Sequence, residues 1–224
     1  MNDEDLSELR QAMLADIAAQ AIFACARLGK AALGARVLDA MGKVPRHEFV
    51  PYPLRPYAYA DTPLPIGFGK SISQPFIVAV MTDLLDVRPD DRVLEIGTGL
   101  GYQAAILAEL TRHVFSVELI EELAEQARKR LARLGHAEVR VRVGNGCHGW
   151  PEHAPFDKII VTAAPELIPP ALIYQLKPAG KMVLPAGLPD EQQLILLEKD
   201  ADGSLSTRDI FPVRFSLLED SEPD

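Results

Sequence analysis

The stretch that most constrains this chain is VLEIGTGLGY, residues 93–102. An apolar run ends in glycines at 97, 99 and 101, and the helix-patterned segment YQAAILAEL follows at once. A buried strand that turns straight into a helix through glycine is a signature of the open α/β sheet. Glycine there permits positive φ and lets a ligand approach the backbone closely. The dinucleotide fingerprint G-x-G-x-x-G grips a pyrophosphate at a helix N-terminus. In this chain the third glycine comes one residue early, and Tyr102 takes its place. The spacing therefore argues against NAD and suits a nucleoside ligand without phosphates.

The rest of the pattern agrees with such a sheet. Strands are predicted at 91–97, 113–119, 137–144, 156–164, 181–185, 193–199 and roughly 207–215. Helices are predicted at 4–29, at 35–41 with Gly42 at its end, and at 76–85, 102–110, 121–135 and 169–176. Strands that alternate with helices predict a doubly wound, Rossmann-like α/β fold. The last two strands have no helix between them, so they should pair antiparallel across the turn DADGS, residues 200–204. Six prolines between Val44 and Gly69 exclude a regular helix there and predict a long functional loop. The expected organisation is an N-terminal helical extension with a lid loop (1–70) and a core (71–224), forming one compact unit. The acidic end LEDSEPD is expected to fray.

Charge narrows the partners. A formal charge of −9 repels phosphate and disfavours nucleic acid and anionic membrane surfaces. The alanine-rich segment from Met13 to Ala32 is interrupted by Asp16, Gln20, Arg27 and Lys30, so it reads as an amphipathic helix, not a membrane span. Two cysteines, Cys25 and Cys147, make neither a disulfide framework nor a zinc site. The start MNDEDLSELR lacks a basic n-region, so a cytoplasmic protein is expected. A monomer is expected as well.

Three positions add to the glycine loop. Glu118 closes the next strand, where a carboxylate accepts hydrogen bonds from ribose hydroxyls. The small-residue turn VGNGCHGW follows the third strand. Together with Gly97, Gly99 and Gly101, these features predict an S-adenosylmethionine site. After the fourth strand, Ala163 and Ala164 offer no side chain to orient an amine and leave room for a bulky acceptor at the methyl. No aspartate stands at that strand end, so a metal-independent site is expected. Glu95 either touches the amino group of the cofactor or ties the amides of the loop.

In order along the chain, VPRHEFVP (44–51), PLPIGFGKSISQP (63–75), DRVLEIGTGLGYQAAILAEL (91–110), VGNGCHGWPEHAPFDKIIVTAA (143–164), LKPAGKMVLPAG (176–187) and PVRF (212–215) closely resemble one family, protein-L-isoaspartate O-methyltransferase. The resemblance implies a class I methyltransferase fold. It implies methyl transfer from S-adenosylmethionine to the free carboxylate of L-isoaspartyl residues in damaged proteins, with repair through a succinimide. It also implies that Ser73 is the active-site residue, and that Ile72, Ser73, Glu95, Gly97, Thr98, Gly99, Gly101, Glu118, Leu119, Asn145 and Gly146 hold the cofactor. Ile66, Gly67, Ser71, Ala163 and Ala164 would then meet the substrate, and no metal is implied.

Alternatives of other kinds are a carboxyl methyltransferase for one dedicated target and a non-catalytic S-adenosylmethionine-binding protein. Asn145 stands where relatives usually carry aspartate, so Asn145→Asp is expected to tighten cofactor binding. Phe68 and Lys70 also depart from the pattern and bear on the lid surface. Ser73 doubles as the expected N-cap of the following helix, with Gln74 and Pro75 as its first two residues.

Overall fold

The computed structural model describes residues 3–221. Helix α1 (Asp3–Leu28) opens the chain and buries Met13, Ile17, Ala21 and Leu28 along one stripe. Helix α2 (Ala35–Lys43) runs one residue past Gly42, which therefore lies inside the helix and not at its end. A Cβ on Gly42 would sit 3.4 Å from the Leu14 side chain, so the bare glycine lets α1 and α2 pack closely.

The proline-rich segment is more ordered than a loop. It forms two short 3₁₀ turns, Arg46–Phe49 and Tyr52–Tyr57, and then the hairpin of β1 (Leu64–Gly67) and β2 (Lys70–Ile72). Arg46 organises it from within. Its side chain is completely buried, donates to the carbonyls of Ala58 (2.8 Å) and Ser73 (2.7 Å), and lies over the Tyr102 ring at 4.9 Å.

The core follows as α3 (Pro75–Leu85), β3 (Arg92–Ile96), α4 (Tyr102–Ala108), β4 (His113–Glu118), α5 (Glu121–Arg133), β5 (Arg140–Val143), β6 (Phe156–Val161), α6 (Pro170–Gln175), β7 (Leu176–Ala186), β8 (Gln193–Lys199) and β9 (Leu205–Pro212). The seven-stranded sheet has the order β5-β4-β3-β6-β7-β8-β9. The pairs from β5 through β7 are parallel, while β7–β8 and β8–β9 are antiparallel. This is the doubly wound fold, and β8 and β9 pair as expected of strands joined by a hairpin turn.

Two of the predicted strands change length most. The start of β5 is delayed to Arg140 because α5 ends in a Schellman turn: Gly135 takes φ 90°, and the His136 N–H bonds the Leu131 carbonyl at 2.8 Å. At the other end of the sheet, β7 begins directly where α6 stops and runs for 11 residues.

Alternate residues of the central strands feed opposite faces of the sheet. Val93, Ile160 and Val183 pack toward the side that holds α1 to α5, and Leu94, Ile159 and Met182 toward the other. Both faces are covered, as parallel strands require. The larger cluster runs from Met13 to Ile210, and residue 70 falls inside the β1–β2 hairpin. No helix among the described residues is long and apolar enough to cross a membrane.

The segment before the acidic end is held in place as far as Leu218. Ala164 donates to the Ser216 carbonyl and accepts from Leu218, both at 2.8 Å. This parallel bridge lays 216–218 beside the end of β6. Glu222, Pro223 and Asp224, the rest of the segment expected to fray, lie outside the described residues.

Candidate functional site

Strand order reverses at β3. The chain leaves β3 toward β4 and returns to the opposite side at β6, which opens a crevice beyond the carboxyl ends of these strands. The glycine loop forms its floor. Gly97, Gly99 and Gly101 all have positive φ (95°, 55° and 96°). A Cβ on Gly97 would run into Thr162 Oγ1, whose hydroxyl donates to the Gly97 carbonyl at 2.7 Å. A Cβ on Gly99 would press on Ile66 at 3.2 Å.

Glu118 stands at the end of β4 with its carboxylate oriented by backbone. One oxygen accepts the Gly99 N–H at 2.8 Å and the other accepts the Ile120 N–H at 3.1 Å. Burial raises its pKa, and the amide hydrogen bonds oppose that rise. A carboxylate offers about four lone-pair directions. The two that remain suit the paired hydroxyls of a ribose, and Glu118 lines the pocket.

Several sequence-predicted residues line the same pocket: Ile66, Ser71, Gly97, Gly99, Leu119, Gly146 and Ala163. Ile72, Ser73 and Thr98 line an adjoining cleft beneath the loop. Ser73 also lines a broader groove of about 450 Å³, beside Gln74, Ile77 and Val213. Ser71 and Thr162 border the pocket, the cleft and the groove, and so mark where they meet.

Other predicted residues are placed elsewhere. Glu95 is completely buried behind the loop and receives the Ser116 hydroxyl, which itself bonds Thr98 Oγ1 at 2.5 Å. Burial pushes the Glu95 pKa up to about 8, and one of its oxygens has no partner. Its partner is a hydroxyl and not a loop amide, so it supports the loop through Ser116 and Thr98. Gly101 starts α4, where a Cβ would meet Leu131 at 3.3 Å, so it serves helix packing. Gly67 lies at the hairpin turn and lines only a shallow outer face. Ala164 is buried, and its backbone docks the chain end.

Asn145 does not line the pocket either. Its Oδ1 accepts the Cys147 N–H at 2.9 Å, and its Nδ2 donates to Asp220 at 2.8 Å. The side chain holds the turn, while Gly146 presents backbone to the pocket.

Ser73 is not the helix cap. Gln74 occupies that position, Pro75 begins the helix, and neither Ser73 nor Gln74 supplies a capping side chain. Asp61 does so from outside, accepting the Phe76 N–H at 2.8 Å.

Sequence reasoning missed Thr162, Asp61, Arg46 and the wall formed by Ser216–Glu219. Thr162 was within reach, since it directly precedes the two alanines in VTAAPE. The others have no local signal.

The pocket fits S-adenosylmethionine by the character of its lining. Ile96, Val117, Leu119 and Leu123 give apolar walls. Glu118 gives one buried acceptor, and the bare glycines give room at the backbone. Among the described residues that line the pocket, the one cation is Lys70, and it is paired with Glu219 at 2.5 Å, unlike a pyrophosphate cradle. Among the described residues, no group of three or more His, Cys, Asp or Glu side chains is placed to hold a metal ion.

Comparison with known proteins agrees with this fold. A family model described as protein-L-isoaspartate(D-aspartate) O-methyltransferase matches residues 19–223. Protein-L-isoaspartate O-methyltransferase 1 of Polaromonas sp. is 71% identical over 223 residues, covering 100% of this chain and 94% of the relative. A solved protein-L-isoaspartate O-methyltransferase superposes with a TM-score of 0.81 at 28% identity, covering 94% of this chain and 66% of that one. A putative protein-L-isoaspartate O-methyltransferase from Plasmodium falciparum, crystallised with S-adenosyl-L-homocysteine, shares the fold with a TM-score of 0.79 at 21% identity, covering 95% of this chain and 99% of that one. With a glycine loop, a ribose-ready carboxylate and a match that spans nearly the whole sequence, this chain belongs to the protein-L-isoaspartate(D-aspartate) O-methyltransferase family.

Proposed function

We propose that this protein methylates the free carboxylate of L-isoaspartyl residues in damaged proteins, the first step of their return through a succinimide. The observation that carries the reading is the junction at Ser71 and Thr162, where the enclosed pocket beside Glu118 meets the open groove beside Ser73. Bound S-adenosylmethionine supplies an electrophilic methyl group.

Every other task falls to the chain. Glu118 holds the ribose side by its two remaining acceptor directions. Ile96, Val117 and Leu119 exclude water from the nucleoside. The groove admits an extended peptide, and Ser71 and Ser73 offer hydroxyls where its carboxylate must arrive, while Thr162, whose hydroxyl donates to the Gly97 carbonyl, borders the same point.

No general base is required. An α-carboxylate has a reference pKa of about 3.5 and is already an anion at neutral pH. Catalysis then rests on alignment and exclusion of water, and intramolecular alignment is worth on the order of 7–11 kcal/mol.

The test is transfer of a labelled methyl group to an isoaspartyl peptide and to its aspartyl twin. Labelling of the first alone is expected, and equal labelling or none overturns the reading.

A further inference from the structure

The wall of the pocket is completed by the end of the chain. Ser216, Leu217, Leu218 and Glu219 line it opposite Glu118 and the glycine loop. Backbone bonds to Ala164 hold this segment as far as Leu218. Beyond that point, side chains tie it down on both flanks. Lys70 of the hairpin reaches Glu219 at 2.5 Å. On the other flank Asn145 Nδ2 reaches Asp220 Oδ1 at 2.8 Å. Burial, and then the charge of nearby Asp220, raise the pKa of the Cys147 thiol.

Between these ties, Leu218 packs against Gly146, with its Cδ1 3.3 Å from where a Cβ would stand. Asn145 is buried, and both ends of its amide have a partner: Oδ1 accepts the Cys147 N–H and Nδ2 donates to Asp220. Reversing the amide would set an oxygen against a carboxylate and an NH₂ against an N–H, so the pair admits one orientation.

We propose that Asp220 is a positioning residue for the cofactor site: by bonding Asn145 it clasps the chain end over the pocket and sets how tightly the nucleoside is held. The proposal rests on the reading of this pocket as the cofactor site. Glu219 and Lys70 form a second clasp at the hairpin side. The acidic partners in both ties, Glu219 and Asp220, are exposed. The tie to Asn145 differs in joining a charged acceptor to a buried amide.

This arrangement reverses the expectation drawn from the sequence for Asn145→Asp. An aspartate there would face Asp220 across the present 2.8 Å hydrogen bond, so the two carboxylates would repel and the clasp would open. Exchanging the two residues, in Asn145→Asp with Asp220→Asn, restores a donor opposite an acceptor.

The experiment is calorimetric binding of S-adenosylhomocysteine to the full chain, with steady-state kinetics at varied cofactor concentration. Asp220→Ala and Asn145→Asp are each expected to weaken binding about 10-fold, the scale of one lost charge-assisted hydrogen bond. For Asp220→Ala the loss is expected in the cofactor KM, with no parallel fall in kcat. The exchanged double variant is expected to recover most of the affinity lost by Asn145→Asp.

Asp220→Ala alters an exposed side chain, so it tests the clasp even if Asn145→Asp folds poorly. Unchanged affinity in Asp220→Ala, tighter binding in Asn145→Asp, or no recovery in the double variant overturns the proposal. Failure of the unaltered chain to bind S-adenosylhomocysteine would instead overturn the reading of the pocket itself.

Discussion

Asp61 Oδ1 accepts the Phe76 N–H at 2.8 Å and thereby caps α3 from a neighbouring segment. Its other oxygen accepts from Gln20 of α1 at 2.7 Å and from Gln74 at 2.8 Å. One carboxylate thus joins the first helix, the proline-rich segment and the helix that follows Ser73. Asp61→Ala is expected to cost about 1–2 kcal/mol as a lost cap alone. In a chain of this size each kcal/mol lowers the melting midpoint by roughly 2–4 °C. Thermal denaturation checks it, and an unmoved midpoint would show that the cap is dispensable.

With Asp61 as the cap, the Ser73 hydroxyl has no structural duty at the helix start. Ser73→Ala should therefore change stability by no more than about 0.5 kcal/mol. Turnover of an isoaspartyl peptide should fall roughly 10-fold to 100-fold, the range for one hydrogen bond lost to a charged group. A rate equal to that of the unaltered enzyme would remove Ser73 from the site.

Glu118→Gln keeps the shape of the side chain and removes its charge. One amide oxygen cannot serve the Gly99 N–H, the Ile120 N–H and two ribose hydroxyls together. Affinity for S-adenosylhomocysteine should drop roughly 10-fold to 100-fold. In the unaltered protein, affinity should also weaken as the pH falls through the raised pKa of Glu118, because protonation removes the charged acceptor. Binding isotherms measured from neutral to acid pH check both statements.

Glu95 gives the fold its own pH dependence. Its folded pKa of about 8 lies above the ordinary value of 4.5, so the folded state holds a proton that the unfolded chain releases. That contribution is fully present below pH 4.5 and is lost as the pH rises toward 8. Relative to Glu95→Gln, which cannot ionise, the unaltered protein should lose melting temperature across this window. Parallel curves for the two proteins would show that Glu95 does not titrate there.

Much of the fold was legible because its signals are local. Alternating strand and helix patterns, glycines at a strand-to-helix turn and an acid at the next strand end all lie within short windows of sequence. The antiparallel pairing of β8 and β9 follows from a short turn for the same reason. Boundaries were less legible where a turn consumed backbone groups, as the Schellman turn before β5 does.

The sequence by itself determined the sheet, the glycine loop and the place of Glu118, because period and turn chemistry act between near neighbours. Only the tertiary structure decided which polar groups meet. It set Asp61, not Ser73, against Phe76, buried Arg46 under the Ser73 carbonyl, and placed Glu95 behind the loop. It brought Asp220 to Asn145 across 75 positions. Such pairs depend on how separate elements pack, and a buried polar group takes whichever partner the packing delivers.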